Sequence, residues 1–398
     1  MPFDADIIVV GAGPAGSTAA KLLAGRGYQV LLIDRAVFPR HKTCASWINR
    51  LAFERFPYLM PPLYELVEAP FYGITFYDAS LERSGRFTER MPSGYLSLRS
   101  RFDDGLRRIA VEAGAEFLGG RAVVDVDEGR DEVRVRLADG AEFSARVVIG
   151  ADGASSRVAA ATGLHQGWGP RDYVLCANAD VPCPPALIEA FYGSRFPLVT
   201  YLQYEGLQGY GWVFPKRQHV CIGIGAMLAQ GREIRPLFGR FVRDLRRRRH
   251  LPAEISEASV KAATTFDLDP VGAVHRLPNL TRGRVLLIGD AAGFVSGSTG
   301  EGIYPGMVSA EVACEVVDRA LRRSQASLTA ALARFDRAWR AELASYVKRL
   351  PGGEQEGRTK GRIDLIFRSP LAARVAGRVF LYGEGLTLRT LARSIWPR

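Results

Sequence analysis

The residues in this chain best suited to chemistry are glycines and acids at fixed spacing. Gly11, Gly13 and Gly16 follow the apolar run Ile7-Ile8-Val9-Val10, and Asp34 lies 23 residues beyond Gly11. In such a run the first glycine permits a tight turn and the second lets the backbone approach a pyrophosphate. The third lets helix and strand pack closely. The helix that follows offers free N–H groups and a partial positive charge to phosphate oxygens. An acid at the position of Asp34 accepts hydrogen bonds from ribose hydroxyls. The spacing therefore predicts a dinucleotide site near the N-terminus. Two further segments, Gly150-Ala151-Asp152-Gly153 and Gly289-Asp290-Ala291-Ala292-Gly293, stand far along the chain. Acids at strand ends also cap helices, so each of these taken alone says little.

A second set of residues is apolar. Gly209-Tyr210-Gly211-Trp212-Val213-Phe214-Pro215 precedes Gly223-Ile224-Gly225. Strand alternation puts Tyr210, Trp212 and Phe214 on one face. Such aromatics are by default sheet core. Beside a cofactor they make a wall that holds a long apolar chain, at roughly 25 cal/mol per Å² buried. Cys44 closes the run Pro39-Arg40-His41-Lys42-Thr43-Cys44; a lone cysteine is by default a small buried hydrophobe. His219 and His275 have no partner that the sequence names and read as solvated or structural.

The elements that must position these groups follow from periodicity. Ile7 to Val10 predicts a buried strand, and Ala15, Ala19, Leu22 and Leu23 a helix stopped by Gly25 and Gly27. Gln29 to Ile33 predicts the next strand, with a helix starting near Ser46 or Trp47. Phe71–Tyr77 and Phe87–Leu98 read as strands, and Arg101–Gly114 as a helix. Three alternating runs, 122–126, 133–137 and 141–143, form a meander that turns at Asp139-Gly140. Arg146–Gly150 reads as a separate buried strand. From Gly163 to about Asp269 short β-like runs predict an antiparallel sheet, interrupted by an arginine-rich helix over Ile234–His250. Arg284–Asp290 returns to a nucleotide-fold strand, Gly302–Arg322 to a long helix, and the remainder is helical with a break at Leu350–Gly353.

The 398 residues suffice for two or three cores. No run of 18 apolar residues exists, which excludes a spanning helix. The chain enters a strand within six residues, leaving no room for a secretory leader. Five scattered cysteines without a CxxC pair argue against a disulfide framework or metal site and for a reducing cytoplasm. The net charge of +11 is concentrated toward Gly361–Arg398. With no nucleic-acid signature present, nucleic acid is not an expected partner. Apolar groups and arginines alternate from Ile363 to Trp396. That pattern reads either as helices packed on the nucleotide domain or as a peripheral contact with an anionic membrane.

The three glycine–acid segments, in this order, resemble the large FAD family of aromatic hydroxylases and geranylgeranyl reductases, over all but about the last 50 residues. The Tyr210-x-Trp212-x-Phe214-Pro215 and Gly-x-Gly pattern is similar to the geranylgeranyl reductase fingerprint. Flavin halogenases carry a related Trp-x-Trp-x-Ile-Pro. Pro39, Lys42 and Cys44 match the reductases' Pro-x-x-Lys-x-Cys-Gly, although Ala45-Ser46-Trp47 stands where glycines are usual. The resemblance implies an α/β fold: a discontinuous Rossmann-type FAD-binding domain (1–70, 95–162 and 270–325), an inserted antiparallel β-sheet substrate domain (71–94 and 163–269) and a C-terminal helical region (326–398). It implies FAD held by Gly11, Gly13, Ala15, Gly16, Asp34, Arg35, Cys44, Arg101, Ala122, Val123, Asp152, Gly153, Asp290, Gly300, Gly302 and Ile303. Among these, Asp34 serves the adenosine ribose, Asp290 the ribityl side and Arg101 the pyrophosphate or ribityl. The Gly297–Ile303 loop then faces the flavin's pyrimidine edge. Cys44 is the implied catalytic residue, and Tyr210, Trp212 and Phe214 bind a polyprenyl or other long apolar substrate. The implied activity is saturation of isoprenoid C=C bonds by a cytoplasmic oxidoreductase, with NADPH or ferredoxin as a transient electron donor. A flavin monooxygenase (hydroxylase or halogenase) and an electron-transfer flavoprotein serving a quinone are the alternatives.

Overall fold

A computed structural model describes residues 3–322, 328–348, 363–384, 390 and 394. Two compact units emerge, and both are discontinuous in sequence. The first comprises residues 3–41, 100–172 and 269–348; the second comprises 42–99, 173–268 and the described residues from 363 onward.

The first unit is built on a sheet whose central strands are parallel. Val285–Leu287, Glu142–Gly150, Ala5–Val10, Val30–Asp34 and Glu116–Gly119 lie side by side, with Ile8 opposite both Val148 and Leu31. Ile7, Ile8 and Val9 are fully buried, as a continuous apolar run requires when both faces are covered. The helix Pro14–Ala24 packs against the long helix Ile303–Leu321. The expected meander is present as Val123–Glu128, Val133–Leu137 and Glu142–Gly150. The third of these is one strand rather than two. Nothing between Phe143 and Arg146 breaks it, and Ala145 pairs with Val133 on one side and Ala5 on the other.

The second unit holds a seven-stranded sheet in the order 264–270, 173–182, 219–227, 209–215, 198–202, 73–77 and 84–88. Its central pairings are antiparallel, while Leu198–Leu202 runs parallel to Gly73–Tyr77. The helix Ile234–Arg247 buries Leu237, Phe238, Phe241 and Leu245 and leaves its arginines outward. A three-stranded antiparallel sheet joins Trp47–Asn49, Gly94–Leu96 and Ala69–Phe71.

Several expectations are corrected here. No helix starts at Ser46 or Trp47. Trp47–Asn49 is a strand, and the helix Arg50–Arg55 begins after Asn49, whose side chain accepts the Leu51 N–H. Residues 42–70 group with the β-rich unit, because Trp47 and Ala69 belong to its core. The C-terminal region is not one segment. Helices Leu328–Leu332 and Phe335–Leu343 pack on the long helix of the first unit, whereas Pro370–Tyr382 packs on strands 73–77 and 84–88 of the second. The break at Leu350–Gly353 and the apolar positions Leu388, Leu391, Ile395 and Trp396 lie outside the described residues.

Candidate cofactor and substrate sites

The glycines of the N-terminal loop each have a steric cause. Gly11 has φ +103, and a Cβ there would run into the Ala151 carbonyl oxygen; a Cβ on Gly16 would strike the Gly11 carbonyl. Strand 142–150 thus ends against the loop, and the Ala151 N–H donates to the Val10 carbonyl at 2.7 Å. Gly13 is different, since the nearest atom a Cβ would meet is Nη2 of Arg40, at 3.6 Å. That face of the loop is open to a ligand. Ala15 meets Gly289, where a Cβ would come within 2.8 Å of its methyl.

Asp34 is buried at the end of its strand. Its Oδ2 accepts the Ala12 N–H at 2.7 Å and its Oδ1 the Ala36 N–H at 2.8 Å. The carboxylate is thereby fixed beside the glycine loop with lone pairs to spare. Arg121 N–H donates to the Asp34 carbonyl, which brings Ala122 and Val123 alongside. Arg35 is exposed.

Asp152 acts on its own chain. Its Oδ1 accepts the Ser156 hydroxyl at 2.5 Å and its Oδ2 the Arg157 and Val158 N–H groups, so it caps the helix Arg157–Thr162. Exclusion of water by the surrounding chain raises its pKa, against those hydrogen bonds, which lower it. Gly153 (φ +84) beside it has no atom near its missing side chain. Asp290 lies in a short 3-10 turn, with Oδ1 3.1 Å from where a Cβ on Gly302 would stand. Gly302 caps the long helix and Ile303 opens it, while Gly300 takes φ +70. The loop is braced from beneath by buried Glu301, which the Tyr346 hydroxyl meets.

Arg40, which no spacing in the sequence marks, stands beside the N-terminal glycine loop. Its Nη2 pairs with Asp103 at 2.9 Å, and Asp103 is wholly buried on the helix Arg99–Glu112. Its Nη1 is buried without a hydrogen-bond partner. An arginine held by a buried acid, with unmet N–H groups beside the open face of Gly13, is a receptor for an anionic oxygen. FAD, through its pyrophosphate, fits this set of residues. Arg101, the arginine expected in this role, is exposed in the first turn of the same helix. The available signal was a cation in the loop directly after the second strand.

In the second unit the three aromatics share a face, as alternation requires. Tyr210 and Trp212 have ring centroids 5.8 Å apart, and Trp212 and Phe214 6.4 Å. Phe214 is fully buried, Trp212 nearly so, and Tyr210 half-buried. The two glycines that follow clear different neighbours: a Cβ on Gly223 would enter the Trp212 indole, and one on Gly225 would press on the Val174 side chain at 3.0 Å. The indole N–H donates to the Asn178 side-chain oxygen at 3.1 Å, and so does the Cys221 thiol at 2.9 Å. Asn178 adjoins Asp180, which accepts from buried Lys216 at 2.5 Å. Burial alone would lower the Lys216 pKa, but Asp180, Cys221 and Glu68 hold it above the usual lysine value. Burial also pushes the Cys221 thiol well up.

Cys44 is partly accessible, and its sulfur accepts the Ser46 N–H at 3.3 Å. Its loop is tied down by Lys42 to Asp267 at 3.3 Å and by the Thr43 hydroxyl to the Phe266 carbonyl. Ser46 takes φ +57, so the loop adopts the left-handed bend here without a glycine. His219 pairs with Glu68 at 3.1 Å, and His275 binds the Val347 carbonyl beside Trp339. Both histidines are structural.

Comparison with known proteins fits this geometry. Residues 77–342 match the FAD-binding-domain family, and residues 9–42 a Rossmann-like NAD(P)-binding family. Menaquinone reductase of Mycobacterium tuberculosis is 34% identical over 351 residues, covering 82% of this chain and 80% of its own. The chain belongs to the FAD-dependent oxidoreductases of the geranylgeranyl reductase type. Another relative of this FAD-dependent oxidoreductase is digeranylgeranylglycerophospholipid reductase 2 of Methanopyrus kandleri, 32% identical over 356 residues (86% and 84% of the two chains). The fold matches a geranylgeranyl bacteriochlorophyll reductase-like protein from Thermoplasma acidophilum. Their TM-score is 0.75 at 20% identity, over 98% of this chain and 95% of the other.

Proposed function

We propose that this oxidoreductase saturates C=C bonds of an isoprenoid chain carried on a quinone or lipid head group. The observation that carries the reading is the aromatic row of the second unit. Tyr210, the least buried of its three, contacts Phe380 at 5.5 Å, and Phe380 stacks on Trp47 at 6.0 Å. This extended apolar surface suits a polyprenyl tail. The relatives' names specify menaquinone or digeranylgeranylglycerophospholipid as substrates of those proteins.

When bound, FAD supplies hydride to one alkene carbon. The chain's own residues bind and orient. The N–H groups behind Gly13 and the Arg40 guanidinium hold the pyrophosphate, with Gly11, Ala15, Gly16, Gly153 and Arg101 shaping its surroundings. Asp34, Arg35, Ala122 and Val123 receive the adenosine end. Asp290, Gly300, Gly302 and Ile303 receive the ribityl and ring end, where the long helix dipole favours negative charge. Asp152 shapes the loop by capping. Tyr210 holds the prenyl chain, and Trp212 and Phe214 support it. The Cys44 thiol carries the exchangeable proton for the second alkene carbon. The reductant is a diffusing donor, NADPH or ferredoxin, and the enzyme works on the cytoplasmic side, in peripheral contact with an anionic membrane.

The test is anaerobic single turnover of the reduced holoprotein in detergent with a geranylgeranyl lipid and with a menaquinone. One of them gains a hydrogen pair while the flavin is reoxidised. No saturated product from either, with the flavin remaining reduced, overturns the reading.

A further inference from the structure

No helix among the described residues is long and apolar enough to cross a membrane. A protein that takes a polyprenyl tail from a bilayer then needs a surface that meets it. The expectation that the C-terminal helices provide one is weakened for Pro370–Tyr382. Its Phe380 and Leu381 are buried within the second unit's core.

A different face of that unit breaks the usual surface pattern. Tyr64 is 88% exposed, Met91 69% and Met60 47%. Met60 and Tyr64 stand on a proline-rich corner, Pro57 to Leu66, formed by a 3-10 turn and a short helix. Met91 lies in the turn before strand Gly94–Leu96. Two sets of contacts join these segments. Arg50, next to the corner, donates to the Pro92 carbonyl, and Phe53 packs edge-on against Tyr95 at 4.6 Å. Burial raises the Tyr95 pKa, and charge on Tyr72 or Tyr64 would raise it further. Arg195 sits over the Tyr72 ring at 4.1 Å and donates to the Glu89 and Arg90 carbonyls.

Neither Arg90 nor Arg195 has a carboxylate partner among the described residues. The nearby acids are engaged: Glu54 pairs with Arg50, Glu65 has a partner, and Glu89 accepts from Ser93 and Tyr382. Exposed methionine and tyrosine rimmed by unpaired arginines match the composition of an interfacial surface, with apolar groups for the acyl boundary and cations for acidic head groups. The patch backs onto the substrate wall across the small three-stranded sheet. Tyr95 and Ile48 lie on one face of the three-stranded sheet. Trp47 and Phe71, whose rings lead to Phe380 and Tyr210, lie on the other.

We propose that the surface carrying Met60, Tyr64 and Met91, flanked by Arg90 and Arg195, docks the protein on an anionic lipid bilayer. The proposal rests on the isoprenoid reading above, because a tail dissolved in a bilayer is what makes such docking useful.

The experiment is sedimentation of the full-length holoprotein with phosphatidylcholine vesicles, with and without phosphatidylglycerol. Wild type binds the anionic vesicles and releases them as salt rises. Met60→Ser/Tyr64→Ser/Met91→Ser and Arg90→Gln/Arg195→Gln each weaken binding by about 10- to 30-fold. Both keep their flavin and the wild-type unfolding midpoint. Their turnover of detergent-dispersed substrate is unchanged, whereas turnover of substrate in anionic vesicles falls with the binding. Wild-type affinity in both variants overturns the proposal and places membrane contact elsewhere. So does dissociation of a dimer by the triple variant, which makes a second copy the occupant. Absence of saturation in detergent overturns the functional reading and leaves the vesicle result to stand or fall separately.

Discussion

Arg40 brings a positive charge to the open face of Gly13 and arrives with one nitrogen unsatisfied. Such a group costs free energy until an anion meets it. Arg40→Met therefore weakens FAD binding about 10- to 100-fold, corresponding to ~1.5–3 kcal/mol for hydrogen bonds to a charged group. Quenching of flavin fluorescence on titration into apoprotein measures this. Asp103→Asn, which loosens the arginine without removing it, gives a smaller loss. Unchanged affinity in Arg40→Met would reduce the pair to a structural ion bridge. Arg40 was not singled out in the sequence because nothing there shows that Asp103 is the buried acid that aims it. The meaning of Gly223 was hidden for the same reason. Its place in the Gly-x-Gly spacing is visible in the chain, whereas the indole it makes room for is revealed only by pairing Trp212 with Gly223 across two strands.

At the scale of elements, the helix Pro370–Tyr382 shows how a segment of ambiguous amphipathicity finds its place. Gly377 lets it sit directly on Phe87 of strand 84–88, where a Cβ would collide with the ring. Asn49 adds a hydrogen bond to the Leu381 carbonyl. Gly377→Leu forces the helix off the sheet at a cost of about 1–3 kcal/mol. Hydrogen exchange across residues 370–382 accelerates in the variant, while the parallel sheet of the first unit keeps its protection; Gly377→Ala lies between. An unchanged exchange pattern would mean that the helix is held by its other contacts. The sequence marks 363–396 as helical without bounding this helix and leaves its docking face open, because arginines and apolar groups alternate along it in a way that suits a sheet or a lipid equally well.

For the whole molecule, stability is set by two separately cored units, and the second contains a histidine with a clear pH consequence. His250 packs against the stacked pair Tyr77 and Tyr201, with its Nδ1 2.8 Å from the Tyr201 hydroxyl. Burial, followed by the nearby Arg248 charge, lowers its pKa below the usual histidine value. Above the unfolded-state pKa of about 6.5 both states are neutral and His250 has no pH effect. As pH falls from there, the unfolded chain takes up the proton first and the native state loses stability, until the folded pKa is passed. Urea midpoints therefore drop as the pH falls below about 6.5, and His250→Gln removes that component of the slope. An identical slope in the variant would show that other groups cause the drop.

The sequence by itself determined the dinucleotide loop, the buried parallel strands and the aromatic strand with its Gly-x-Gly. Each of these is a local pattern, fixed by backbone sterics and by the 2.0 and 3.6 periods of strand and helix. Only the tertiary structure decided how distant residues meet. It placed Asp103 behind Arg40, Asn178 between Trp212 and Cys221, and Trp47–Asn49 in a small sheet rather than a helix. These depend on contacts between segments tens to hundreds of residues apart. Burial of charge and matching of volume select such partners, and no spacing along the chain encodes them.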